Sequence, residues 1–331
     1  MAEFSSFIIH RSSFVPSKYY RPVRRVIAGD VGGTKSLLRC VEANGQILAE
    51  HRFESAAFSG FDDLLSAFVR MCPGPVDSAC FAVAGPVFGG TAEITNLGWF
   101  VDASRLATLF RIPSVSLIND FYAIALGMPF LAEGDLLPLN RGTRDRTSPM
   151  AVLGAGTGLG EAIVTFHPSG GWVVVPGEGG HADFAPQDEE QTRLLLALQK
   201  KYAGHVSWER LLSGMGLESI YQFVTGQGKD PAEISALAAA GDAAAIRTMQ
   251  IFVDIYGAEA GNMALRVLAR GGVFLAGGIA AKNMQFFTDG RFVAAFTRKG
   301  RFSDLMRGMP VDLVVDETVG LIGAVEAARR N

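Results

Sequence analysis

Short apolar runs that close on glycine alternate along this chain with longer stretches whose apolar positions recur every three or four residues. The first rhythm predicts strands over 23–28, 36–42, 47–53, 78–83, 115–118, 150–153, 162–166, 271–276 and 313–315. The second predicts helices. One covers 61–71, where Phe61, Leu64, Leu65, Phe68 and Val69 share a face, and another contains Leu106, Leu109 and Phe110. A third covers 188–202, with acids at its start and Lys200 and Lys201 at its end, matching the helix dipole. Alanine-rich helices follow over 231–241 and 242–268, where Gly257, Ala260, Gly261 and Ala264 permit close helix packing, and a last helix covers 319–330. Strands interleaved with helices define an α/β chain.

Two strand pairs are joined in the same manner. Gly29-Asp30-Val31-Gly32-Gly33-Thr34-Lys35 separates the first pair, and Gly154-Ala155-Gly156-Thr157-Gly158-Leu159-Gly160 separates the strands at 150–153 and 162–166. Adjacent glycines let backbone N–H groups approach an anion with no Cβ in the way, and Thr34 adds a hydroxyl donor. Asp30 is placed to hold a hydrated metal ion. Taken alone, the first turn also fits a plain hairpin. The repetition half a chain apart predicts a duplicated architecture whose two lobes grip one nucleotide from opposite sides. Neither turn is a Walker loop. The second matches a dinucleotide fingerprint only superficially, because a β-prone run follows where that fingerprint needs a helix.

Between the turns lies Leu117-Ile118-Asn119-Asp120-Phe121-Tyr122-Ala123, an apolar run broken by an amide and a carboxylate. An Asp at the mouth of a buried strand must be hydrogen-bonded, charge-paired or functional. Helix capping is the commoner role for such a residue, and the glycine turns shift the balance toward chemistry at Asp120. In Gly177-Glu178-Gly179-Gly180-His181-Ala182-Asp183-Phe184, a carboxylate and an imidazole stand three residues apart on flexible backbone, a combination suited to ringing a polyhydroxylated ligand. Gly277-Gly278 forms a strand-to-helix turn where backbone can lie flat against an adenine or ribose. Asn96 reads as a turn former, and Glu209 as a solvated helix-start acid.

Composition narrows the class. The 331 residues are 49% hydrophobic and 19% charged, enough to build two lobes with large cores. A net charge of −3, from 30 basic and 33 acidic residues with no long run of one sign, gives no nucleic-acid footprint. Cys40, Cys72 and Cys80 form neither a CxxC pair nor a cluster with histidine, which argues against structural zinc or a disulfide framework and fits a reducing compartment. The apolar runs are much shorter than the ~20 residues that span a bilayer. A segment with Arg11, Lys18, Arg21, Arg24, Arg25 and several serines overlaps in composition with transit peptides and is expected to be a disordered leader.

The order of D-V-G-G-T, A-G-P, T-N-x-x-W, I-N-D-F, G-A-G-T-G-L-G, G-E-G-G-H-x-D-F-A-P, L-S-G-x-G-L and A-G-G-I resembles that of the bacterial glucokinases, within the hexokinase-like, actin-fold ATPase superfamily. The G-E-G-G-H segment is similar to the glucokinase branch proper, and the cysteine-rich zinc motif of the related ROK sugar kinases is absent. The resemblance runs from about Val26 onward. It implies a two-lobed actin/hexokinase-like (ribonuclease H-like) fold with a ligand cleft between lobes. After a leader over 1–22, a small α/β domain would occupy 23–131, completed by the helix at 318–331, with a large α/β domain over 132–317.

The resemblance further implies Asp120 as catalytic base, with Asn119, Glu178, His181 and Glu209 binding sugar hydroxyls; Glu209 enters only through its match to the family's S-x-E segment. Asp30, Gly32, Gly33 and Thr34 match the first phosphate loop, with Asp30 holding Mg²⁺ through water. Gly156, Thr157 and Gly158 match the second, and Gly277 and Gly278 the nucleoside turn. Lys35 stands where this branch commonly has Asn, and Met215 where it commonly has Pro. The implied reaction is phosphoryl transfer from Mg-ATP to the C6 hydroxyl of glucose, by a cytoplasmic homodimer with no nucleic-acid or membrane partner. A kinase for another hexose or amino sugar, and a non-catalytic sugar sensor on the same fold, are the alternatives. A DNA-reading regulator would need a helix-turn-helix extension, for which the leader has no room.

Overall fold

The computed structural model describes residues 25–331 other than Thr95, Ser169 and Gly170, so the leader expected over 1–22 lies outside the described residues. The first strand, β1 (Arg25–Val31), does not stop at Ala28 but carries on through Gly29 and Asp30, leaving Gly32-Gly33-Thr34 as the turn into β2 (Lys35–Glu42). Then come β3 (Ile47–Glu54), α1 (Phe61–Val69), β4 (Ser78–Val83), β5 (Val87–Phe88), β6 (Thr91–Ile94), β7 (Trp99–Asp102), α2 (Ala103–Phe110) and β8 (Ser114–Asn119). A five-stranded sheet forms in the order β3-β2-β1-β4-β8, antiparallel at β3-β2-β1 and parallel at β1-β4-β8. Strands β5, β6 and β7 make a separate three-stranded sheet that the apolar rhythm does not reveal.

The second half begins with α3 (Asp120–Gly127), β9 (Leu136–Asn140), β10 (Met150–Ala155), β11 (Leu159–His167) and β12 (Gly171–Gly177). Helices α4 (Glu189–Lys201), α5 (Gly214–Thr225), α6 (Pro231–Ala239) and α7 (Ala243–Val267) follow. The chain then forms β13 (Gly272–Ala276), α8 (Gly278–Lys282), α9 (Met284–Phe287), α10 (Arg291–Thr297), α11 (Ser303–Arg307), β14 (Val311–Val314) and α12 (Val319–Arg330). Its sheet runs β12-β11-β10-β13-β14-β9. Pairing is antiparallel at β12-β11-β10 and parallel at β10-β13-β14, the pattern of the first sheet repeated, with β9 added antiparallel at the edge. The duplication that the two glycine turns predict is therefore a duplication of whole sheets.

Local chemistry sets the helix starts. Asp102, Asp188, Asp230, Asp242 and Ser213 each accept backbone N–H groups that the first turn leaves without partners, and Pro231 occupies the first position of α6, where its missing N–H costs nothing. Helix α7 is buried along most of its length. Gly257 and Gly261 let α10 cross it closely, since a Cβ at either would stand 2.5 Å from Phe292 O or from the Lys299 side chain.

The last helix also packs on the first half. Leu321, Ala324, Val325 and Ala328 of α12 cover Val26, Ala28, Cys80 and Ala82 of the first sheet. Against α3 the crossing is nearly backbone to backbone: a Cβ on Gly323 would land on the Ala123 carbonyl, and one on Gly127 on that of Val319. Helices α3 and α12 thus lie together between the two sheets.

Candidate active site

A cleft of about 1020 Å³ lies where the two sheets face each other, and its lining includes Asn119, Asp120, Gly156, Thr157, Gly158, Glu178, Glu209 and Gly277. Strand β8 delivers Asn119 to it. There the amide, not the carboxylate, caps α3: Asn119 Oδ1 accepts from the N–H groups of Phe121 (2.9 Å) and Tyr122 (3.1 Å). Its Nδ2 donates to Gly85 O (3.1 Å) and to Asp120 Oδ1 (2.9 Å). The capping role that competes with chemistry at Asp120 thus belongs to its neighbour. With both lone pairs and both N–H groups engaged, Asn119 meets a sugar hydroxyl only by releasing one of these partners.

Asp120 Oδ1 also accepts from Phe121 N–H at 2.8 Å, while no hydrogen bond engages Oδ2 among the described residues. One oxygen is anchored and the other is available to a ligand. Burial pushes this carboxyl above the ordinary aspartate range, against the pull of the Phe121 and Asp120 N–H groups and the Asn119 amide. The direction suits a group that must take up a proton.

The facing wall is built on glycine. Gly154 and Gly160 are opposite one another across β10 and β11, and the Phe121 ring occupies the space where their Cβ atoms would be. The residue after Asp120 is thereby wedged into the second half. In the turn beyond, Gly156 N–H donates to Gly158 O (2.8 Å), and Gly156 O accepts from Gly214 N–H (2.9 Å) at the start of α5. Glu209 Oε2 accepts from Leu159 N–H at 3.0 Å, and a Cβ on Gly158 would stand 2.5 Å from that oxygen. The pattern alone makes Glu209 a solvated acid; the fold instead ties it to the second glycine turn. His181 lies between Glu178 (3.7 Å) and Glu209 (3.9 Å), so the compact Glu178/His181 pair and the sequence-distant Glu209 form one polar wall.

The first turn lies outside the cleft lining and is partly exposed. Gly32 N–H donates to Lys35 O (3.1 Å), so it is committed to the turn, and Gly32 O accepts from the Ser55 hydroxyl (2.9 Å). Gly33 packs on Asn96, 3.2 Å from where its Cβ would be. Asp30, Gly32, Gly33, Thr34, His181 and Gly278 do not line the cleft itself, in contrast to Gly277, whose φ of +88° and close approach to Ala155 O require glycine. Asp30 is half-buried on β1, and burial, then the Asp120 charge, pushes its carboxyl up to about 6. Two neighbouring carboxylates offer hard oxygen donors that fit Mg²⁺ in chemistry, although no group of three or more His, Cys, Asp or Glu ligands forms among the described residues. Lys35 is exposed, 3.8 Å from Glu54. Met215 occupies the second position of α5, beside Arg210; Pro is tolerated in a first turn, so Met there leaves the helix intact. Glu161, buried beneath the 177–181 turn, is the charged lining residue that sequence reasoning misses, because a lone acid inside a strand run looks like an outward-facing position.

Duplicated mixed sheets, a cleft between them, a glycine turn in each half and one acid with a single anchored oxygen define a two-lobed phosphoryl-transfer enzyme of the actin-like class. Comparison with known proteins agrees: the glucokinase family model matches residues 27–331. The glucokinase of Trichormus variabilis is 40% identical over 339 aligned positions, covering 92% of this chain and 99% of that protein. A glucokinase structure from an Antarctic psychrotroph superposes with a TM-score of 0.83 at 31% identity, covering 93% and 99% of the two chains. The ROK family glucokinase from Streptomyces griseus in complex with glucose and AMPPNP shares the fold at a TM-score of 0.61 and 20% identity, covering 93% and 100%. This chain belongs to the glucokinase family.

Proposed function

We propose that the cleft phosphorylates D-glucose at its C6 hydroxyl with Mg-ATP, Asp120 acting as general base. The observation that carries this is the division of labour at the start of α3: Asn119 caps the helix and steadies Asp120 Oδ1, leaving Oδ2 to accept the hydroxyl proton. Glu178, His181 and Glu209 supply the polar wall against which the sugar is oriented, with Asn119 exchanging its Gly85 contact for a hydroxyl. The N–H groups of Thr157 and Gly158 and of Gly33 and Thr34, which their own turns do not use as they use those of Gly156 and Gly32, receive the phosphates from opposite sides, and Gly277-Gly278 gives the nucleoside a side-chain-free surface. Mg²⁺, held through water by Asp30, would neutralise charge on the transferring phosphoryl group. Most of the acceleration then comes from alignment. The lobes, 23–131 with 318–331 and 132–317, close on the sugar and exclude water. The reading includes a cytoplasmic homodimer, which sedimentation and cell fractionation test.

A panel of hexoses and amino sugars with Mg-ATP, following ADP and sugar 6-phosphate separately, tests the reading. Equal, glucose-dependent amounts of both products are expected. Preference for another sugar transfers the activity to that substrate, and sugar binding without product from any donor overturns it in favour of a sensor.

Asp30 gives a pH dependence with a definite sign. Its carboxyl is protonated below about 6, and a neutral acid no longer attracts the hydrated cation. The KM for Mg-ATP is therefore expected to rise as pH falls through that value, and Asp30→Asn to flatten the rise while weakening binding at neutral pH. A profile in which the variant keeps the acid-side rise would remove Asp30 from the metal site.

A further inference from the structure

Behind the turn that carries Glu178 and His181 lies a buried acid that the chemistry above does not use. Glu161 on β11 is only 4% exposed, its Oε1 has no hydrogen-bond partner, and its backbone pairs with Gly177. Its Oε2 occupies the space that a Cβ on Gly179 would need, so the turn is shaped around this carboxyl. We propose that Glu161 is a positioning residue for sugar binding, holding the 177–181 turn from behind in its neutral form and releasing it when it ionises. The proposal rests on the reading of Glu178 and His181 as sugar ligands.

The surroundings decide which acid carries the charge. On α7, Glu259 is fully buried and accepts from Arg266 Nη1 (2.8 Å) and Asn262 Nδ2 (2.9 Å). Lys299, just beyond α10, donates to Asn262 Oδ1 (2.7 Å) and to Ala258 O (2.8 Å) and faces the same carboxylate, as an ammonium that burial holds down to about 8. Both Glu259 oxygens are thus satisfied, while Glu161 has none of these donors. Two neighbouring buried carboxylates do not both ionise cheaply. Burial raises both carboxyls, but the Asn262, Arg266 and Lys299 donors and charges oppose the rise at Glu259. Glu161 is instead pushed up to about 8 by burial and then by the Glu259 charge, against Arg266, and so is the one that keeps the proton.

The remaining polar groups set the boundary of the effect. Tyr256, also on α7, accepts from Ala155 N–H (3.2 Å) at the head of the second glycine turn. On the supported turn Glu178 lines the cleft with His181 3.7 Å from it, and Glu209 is tied to Leu159, two residues before Glu161. Ionising Glu161 puts a second negative charge beside Glu259 in a place short of donors. Relief requires the turn at Gly179 to move and admit water, which displaces Glu178 and His181 together.

The test is the pH profile of glucose KM and kcat, with glucose binding measured by calorimetry in parallel. In the wild-type enzyme KM and Kd should rise by about tenfold between about pH 7 and pH 9, the consequence of coupling to one ionisation near 8, with kcat nearly level. Glu161→Gln, which keeps the shape and cannot ionise, should hold the low-pH KM throughout. Glu259→Gln removes the neighbouring charge and should move the rise to lower pH; it tests the proposal even where the first variant folds poorly. A pH rise that persists in Glu161→Gln, or a loss of kcat there with KM unchanged, overturns the positioning role. Because binding is measured directly, an absence of turnover in the wild type counts against the proposed reaction and leaves this inference to be judged on the binding step.

Discussion

Asp120→Asn is expected to lower kcat by at least about 100-fold, the ordinary contribution of a positioned general base, while glucose still binds with nearly the wild-type constant. The reason is geometric. The amide oxygen of the new side chain can still accept from Phe121 N–H and from Asn119 Nδ2, the two contacts that fix Oδ1 at 2.8 and 2.9 Å. The local fold is preserved, and the group at the second position can no longer take up a proton. Stopped-flow or coupled-assay kinetics, with calorimetry for glucose, separate the two effects. A near-normal kcat would move the base elsewhere, and a loss of binding comparable to the loss of kcat would make Asp120 mainly a sugar ligand.

Gly160→Ala should cost nearly as much by a different route. The added methyl falls on the Phe121 ring, which already fills the flat surface offered by Gly154 and Gly160. Overpacking of this kind costs about 1–3 kcal/mol. The ring can escape only by tilting the first turn of α3, and Asp120 moves with it. A misplacement of the order of an ångström at a reacting group lowers the rate by about 100-fold. Combining Gly160→Ala with Phe121→Leu, which takes away the colliding edge, is expected to recover part of both activity and thermal stability. If the double variant is no better than the single one, the contact between Phe121 and the glycine pair is not what aligns Asp120.

Much of this arrangement is legible in the sequence. Apolar runs ending in glycine give β4 and β13 close to their observed limits and locate β1 and β10, which run on into their glycine turns to Val31 and Ala155, and the pattern over 319–330 matches α12. The repeated glycine turns anticipate the repeated sheets. Other elements leave no such trace. β12 has Val173 and Val175 exposed at the sheet edge, so its apolar content does not alternate toward a core, and β9 contains Pro138, which is tolerated only because the strand is an edge. The site is legible where a motif is compact, as at Asn119-Asp120 and 177–181. It is illegible where two distant segments must meet. The fit of Phe121 on Gly154 and Gly160, the bond from Leu159 N–H to Glu209, and the pairing of Glu161 with Glu259 depend on sheet register and helix placement, which no local pattern states.

The position of α12 has a consequence for how the chain is made. The face of the first sheet formed by Val26, Ala28, Cys80 and Ala82 is covered by the final helix of the described chain. Synthesis from Asn119 to Val319 takes roughly 10 to 40 s at ordinary elongation rates. Through that interval the nascent N-terminal sheet waits with an apolar face bare, a hazard for self-association. The first lobe is therefore completed only once 319–330 have been made, and a variant lacking that helix is expected to enter the insoluble fraction.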